Sequence, residues 1–143
     1  MPQVNPKRPH LEIKKGRIQS VDYQLLRKST GWEMQNLAMV DKALDSDLFS
    51  VTVFSDQKPI GMGRIIGDGV HYFYIQDVVV LPPFKSMGIG SRIMDILEEY
   101  LDNNAPSKAF IGLMSADGVK NFYKKLGYQE RPSSAPGMFK IKS

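Results

Sequence analysis

The chain has 143 residues, enough for one domain with a real core, and its 42% hydrophobic and 24% charged residues match an ordinary soluble globular protein. It contains no cysteine, which excludes disulfides, thiolate metal sites and a cysteine nucleophile, and two histidines (His10, His71) make a histidine metal centre improbable. No apolar run approaches the roughly 18 residues of a membrane span and no apolar signal core opens the chain, so a cytoplasmic protein is expected.

Residues 1–10 hold three prolines and no periodicity, and a flexible N-terminal arm is expected there, followed by one domain over 11–143. "LEIKKGRI" alternates well enough for a first strand. "VDYQLLRKSTGW" and "EMQNLAMVDKAL" are helical in pattern, with Gly31 as the break between them. "LFSVTVFS" is rich in β formers, "QKP" is a turn, and "IGMGRIIG" continues as a strand. Asp68-Gly69 signals a hairpin, after which "HYFYIQDVVVL" makes the longest strand. Pro82 and Pro83 cannot continue a ladder, so that strand stops there.

From Ile89 the apolar positions Ile93, Ile96, Leu97, Tyr100 and Leu101 fall on one helical face. "AFIGLM" is a further strand, expected to be buried. "GVKNFYKKLG" is a short helix stopped by Gly127, and "YQER" and "MFKIK" are candidates for the last strands. There are no repeats and no linker. The order implies an α/β (α+β) domain with an antiparallel meander and a later strand–helix–strand.

Between the two prolines and the long helix stands Lys85-Ser86-Met87-Gly88-Ile89-Gly90-Ser91. The first N–H groups of a helix have no internal partners and lie at the positive end of its dipole, so a phosphate is bound there by geometry already present. Glycine admits a bulky anion because no Cβ stands in the way. The spacing fits neither the Walker pattern nor the dinucleotide G-x-G-x-x-G, which would need glycine where Ile93 stands. Taken alone, Gly88 and Gly90 could equally shape a tight connection.

Following "DVVVLPPF" and opening "SRIMDILEEYL", this loop resembles the acetyl-CoA loop of the GNAT superfamily of N-acetyltransferases. "GVKNFYKKLGY" resembles that family's late helix, at the expected separation of about thirty residues. Lys85 stands where the family has Arg or Gln, keeping charge but losing the planar fork. The resemblance implies a central mixed, mostly antiparallel sheet of about six to seven strands flanked by about four helices. It also implies an acetyl-CoA co-substrate, no metal, and a small-molecule or peptide amine as acceptor. The pyrophosphate would lie on Lys85, Ser86, Met87, Gly88, Ile89, Gly90 and Ser91. The pantetheine arm would lie along Val78, Val79 and Val80, in a gap between the fourth and fifth strands, with Asn121 bonded to it.

On the same resemblance Tyr123 is the acid that protonates the departing thiolate, and a backbone N–H near Val78 receives the oxyanion. Asp77, flanked by apolar residues, is the candidate general base; its alternative is an ion pair across the sheet, for which Arg64 is available. Tyr74, Gln76 and His71 share that strand as candidates for a water-mediated proton relay. Asp41 and Arg64 interrupt apolar faces and are candidates for the acceptor cleft, or edge charges.

The function implied is direct acetyl transfer from acetyl-CoA to a primary amine. The alternative is a CoA-binding sensor of the same fold without turnover. A pI near 9.3 raises nucleic acid as a partner, but the basic stripe interleaved with aromatics is missing and none is expected. Dimerisation is common in the family, and the sequence leaves a homodimer open.

Overall fold

The computed structural model describes residues 10–143, so the arm expected over residues 1–10 lies outside the described residues except at His10. The described chain divides into two units, one ending at Leu113 and the other spanning Met114–Ser143.

The first unit is built on a five-stranded sheet in sequential order: β1 (Leu11–Lys15), β2 (Phe49–Ser55), β3 (Lys58–Gly67), β4 (Tyr72–Val80) and β5 (Phe110–Leu113). The first four form an antiparallel meander, and β5 lies parallel to β4. A parallel neighbour needs a crossover, and α3 (Ile89–Asn104) provides it. Two further helices, α1 (Ser20–Lys28) and α2 (Leu37–Asp45), precede β2, and Gly31 adopts a left-handed φ of 80° in the break between them.

Neighbouring residues of β3 point to opposite faces, and helices cover both. Met62 joins Ile18, Tyr23, Leu26, Val40, Leu44 and Val79 in the core beneath α1 and α2. Gly61 and Gly63 face α3 instead. A Cβ on Gly63 would stand 2.8 Å from Ile93 Cγ2 and 2.9 Å from Leu97 Cδ1, so glycine is what lets α3 lie this close to the sheet. The buried stripe of α3 (Ile89, Ile93, Met94, Leu97, Leu101) follows the expected periodicity, and Tyr100 stacks on Phe49 of β2 at 4.7 Å.

The strand count is lower than the six to seven expected. "YQER" and "MFKIK" form no strands: Pro132 and Pro136 interrupt the segment, and Met138, Phe139 and Ile141 are exposed. Nor is β5 fully buried as expected, since Phe110 is 49% exposed at the edge of the sheet. The second unit carries α4 (Lys120–Lys125), which ends as predicted before a left-handed Gly127, with φ 96°. Among the described residues no helix is long and apolar enough to cross a membrane.

Candidate active site

β4 and β5 part company midway. Their ladder joins Tyr72–Ile75 to Phe110–Leu113 and stops, while β4 runs on to Val80. Among the described residues Gln76–Val80 therefore has no β5 partner, so the β5 ladder leaves the backbone groups on that side of Asp77, Val78, Val79 and Val80 available. Val78 and Val80 are half-buried while Val79 packs in the core. A ligand pairing with the strand's backbone leaves that packing undisturbed.

The β4 strand also carries a bulge. Met62 faces Val79 and Arg64 faces Gln76, so the single Gly63 faces two residues, Asp77 and Val78. Asp77 takes a left-handed φ of 54° there, rare for a residue with a side chain.

After Val80, Pro82–Phe84 forms one short 3₁₀ turn, and the loop Lys85–Gly88 leads into α3. Lys85, Ser86 and Met87 are exposed, and Ser86 has φ 69°. Gly88 caps α3 with φ 78° and no side-chain hydrogen bond, and the first intrahelical bond is Arg92 N–H to Gly88 O at 3.1 Å. Among the described residues, the N–H groups of Ile89, Gly90 and Ser91 are thus the first-turn donors without an intrahelical partner.

Backbone conformation accounts for glycine at 88. Gly90 is different: its φ is not left-handed, and a Cβ there would meet only Val80 Cγ2, at 4.0 Å. Among the described residues nothing requires glycine at this position, whereas close approach of an anion to the helix start would. The same 4.0 Å brings the open end of β4 and the helix start side by side. An anionic group joined to an extended amide-bearing arm fits these donors, as the pyrophosphate and pantetheine of CoA do.

Behind the bulge lies a buried polar cluster. The Asp77 Oδ2 atom accepts from the Tyr23 hydroxyl at 2.6 Å and from Arg64 Nη1 at 2.9 Å, and Oδ1 accepts from Gln76 Nε2 at 3.3 Å. Arg64 grips Asp47 with its other edge, Nε to Oδ2 at 2.9 Å and Nη2 to Oδ1 at 2.7 Å. Burial works against the Arg64 charge, but Asp47 and then Asp77 outweigh it and hold the guanidinium protonated. Burial and the bond to Asp77 push the Tyr23 phenol up. The ion pair across the sheet, the alternative weighed for Asp77, is therefore present, and Arg64 lies in the core. His71 is exposed, and Gln76 is spent on Asp77. Asp41, considered for the acceptor cleft, instead pairs with Arg17 at 3.1 Å and accepts from Ser20 on the protein's exterior.

In the second unit α4 carries Asn121, which is exposed, and Tyr123, which is half-buried between Phe122 at 5.1 Å and Tyr128 at 6.2 Å. Burial raises the Tyr123 phenol, so it keeps its proton at neutral pH. Lys120 and Lys124 pair with Glu130 beyond the helix. Among the described residues no group of three or more His, Asp or Glu is placed to hold a metal ion.

Comparison with known proteins settles the lineage. The model of the acetyltransferase (GNAT) family matches residues 18–128. The chain belongs to the GNAT family. It is 33% identical over 125 residues to an uncharacterized N-acetyltransferase of Gracilaria tenuistipitata, covering 82% of this chain and 66% of that one. It is also 33% identical over 116 residues to the chloroplastic GCN5-related N-acetyltransferase 1 of Arabidopsis thaliana, covering 80% and 58%. The chain thus spans about 58–66% of the length of these relatives. Among solved structures, a probable acetyltransferase of unknown function from Staphylococcus aureus superposes with a TM-score of 0.84 at 29% identity, covering 94% of this chain and 100% of that one. An aminoglycoside N-acetyltransferase solved with CoA shares the fold, with a TM-score of 0.70 at 17% identity over 97% of this chain and 99% of its own.

Sequence reasoning found the loop, β4 and the late helix. It missed Tyr23, Asp47 and the bulge. Tyr23 stands 54 positions before Asp77, and no local pattern joins residues so far apart.

Proposed function

We propose that this GNAT-family chain is an acetyl-CoA-dependent N-acetyltransferase that passes the acetyl group directly to a primary amine of a small molecule or a lysine-type acceptor. One observation carries the reading: β4 runs past its ladder with β5 to Val80, and Val80 lies beside the glycine-bearing start of α3. Acetyl-CoA supplies the activated thioester. This chain's part is to hold it, to stabilise charge on its carbonyl oxygen and to return a proton to the sulfur.

The unpaired N–H groups of Ile89, Gly90 and Ser91 bind the pyrophosphate, with Lys85 as a nearby charge and with Ser86, Met87 and Gly88 shaping the approach. Backbone groups of Val78 and Val80 pair with the pantetheine arm while Val79 anchors the strand in the core. The N–H of Val78 serves the carbonyl oxygen. In the second unit Tyr123, protonated at neutral pH, keeps the role the family resemblance gives it: it donates its proton to the departing sulfur and regains one, through solvent, from the nitrogen of the amine that has attacked. Asp77, whose oxygens are taken up by Tyr23, Arg64 and Gln76, acts on the shape of β4 and not as the base. No cysteine stands in this chain to carry the acetyl group, which favours direct transfer. The reading keeps the cytoplasmic location expected from the sequence.

Incubating the protein with acetyl-CoA and a panel of primary amines, with thiol detection, tests it. Acceptor-dependent release of free CoA is the expected outcome. Binding of acetyl-CoA without release for any amine would instead mark a CoA-binding module.

A further inference from the structure

We propose that Arg64, anchored on Asp47, is a positioning residue that clamps the β4 bulge in the conformation presenting the Val78 N–H to the acetyl carbonyl. The inference rests on the acetyltransferase reading above and adds to it residues that touch neither co-substrate nor acceptor.

The bulge requires a clamp. A left-handed conformation costs an L-residue roughly 1–2 kcal/mol, and Asp77 holds φ 54° in the middle of a strand. Such a conformation persists where its surroundings over-determine it. Here Tyr23 and Arg64 both donate to Asp77 Oδ2, from α1 and β3 respectively. Arg64 lies beside the slip itself, one residue beyond Gly63, which faces both Asp77 and Val78.

The clamp has a fixed base. Arg64 grips Asp47 through two nitrogens, leaving Nη1 for Asp77 and Tyr23. Asp47 is itself tied in place: its N–H bonds Leu44 O at 3.3 Å, and the next residue, Leu48, bonds Ile65 O at 2.9 Å. On the opposite face Ile93 and Leu97 of α3 leave no room at Gly63. Thus β3 is held from both sides where β4 bulges.

Carbonyl stabilisation depends on a donor standing within hydrogen-bond reach of the developing charge, and losing one such donor costs about 10²–10³ in kcat. A clamp that sets a donor's direction acts on that same quantity. It leaves the pyrophosphate contacts at Gly88–Gly90 alone.

The test uses the full ¹⁵N-labelled chain, with CoA and with an acetyl-CoA analogue whose sulfur is replaced by methylene, so that it keeps the carbonyl but cannot transfer. In the parent, the Gly90 amide resonance should move equally with both ligands, and Val78 should respond differently to the analogue. Arg64→Gln should keep the Gly90 shift and lose at least half of the Val78 difference. Asp77→Gly placed on Arg64→Gln should restore part of that difference, because glycine adopts the bulge conformation unaided. Should Arg64→Gln fail to fold, Tyr23→Phe removes one donor with its ring packing kept, and should shrink the Val78 difference in the same direction. An undiminished Val78 difference in whichever of these variants folds would reduce the cluster to a stabilising ion pair and overturn the proposal. No Gly90 shift in the parent would overturn the acetyltransferase reading and this inference with it.

Discussion

Arg64 Nη1 lies 2.9 Å from Asp77 Oδ2 in the core, and the same guanidinium holds Asp47 with its other edge. Two buried carboxylates thus share one cation. Replacing Arg64 by Met leaves both unneutralised, and breaking a buried pair from one side costs about 3–5 kcal/mol. Urea unfolding should show a loss of that size. A loss below about 1 kcal/mol would mean that water reaches the cluster and screens it.

Gly63 should tolerate no side chain. The Cβ of Gly63→Ala would stand 2.8 Å from Ile93 Cγ2 and 2.9 Å from Leu97 Cδ1. Both are side-chain atoms in a packed stripe, so α3 must shift, at about 1–3 kcal/mol. Thermal unfolding should show a lower Tm for Gly63→Ala, and Gly63→Ala with Leu97→Ala should lose less than the two single changes summed. Additive losses would show that α3 does not press on this position.

These two sites mark the limit of what the sequence disclosed. The helix start at Gly88, the strand end at Pro82 and the stripe of α3 are local signals, written within a few turns of chain, and each stands where expected. Arg64 and Asp77 were each conspicuous as charges on apolar strands, and their pairing was one of two readings. The bulge was invisible, because register depends on how β3 meets β4 and "IQDVVV" alternates equally well without it. The last two strands failed for a related reason: "MFKIK" has strand composition, but composition does not supply a pairing partner.

Asp68 should make the protein sensitive to acid. Backbone N–H groups of Tyr72, Val70 and His71 hydrogen-bond its carboxylate and hold its pKa below the usual range. Because the folded value is the lower one, this contribution is fully present above the unfolded value of about 3.9 and is lost as pH falls through the folded one. Asp68→Asn keeps an acceptor but cannot ionise. Urea midpoints measured from neutral pH down to about pH 2 should show a parent-minus-variant difference that shrinks below about pH 4. A difference that stays constant over that range would remove Asp68 from the acid response.

Tyr123→Phe should separate chemistry from binding. Losing a general acid costs about 10²–10⁴-fold in rate. The variant's kcat should fall within that range while the acetyl-CoA KM stays within about two-fold, since the hydroxyl makes no pyrophosphate contact in this account. Burial raises the phenol, so the parent should keep its activity up to and beyond pH of about 10, the ordinary tyrosine value. Unchanged kcat in Tyr123→Phe would return Tyr123 to a packing role against Phe122 and Tyr128.

Calorimetric titration of acetyl-CoA into the parent and into Gly90→Asp tests the central claim most directly. Gly90 has no left-handed backbone to strain, and its Cβ direction is open, so the variant should fold while its carboxylate occupies the anion position at the start of α3. Saturable binding by the parent, weakened at least about ten-fold in a folded Gly90→Asp, is the expected result, equivalent to about 1.4 kcal/mol or more. Equal affinity in the two proteins would contradict the account, and place the co-substrate somewhere other than on this helix.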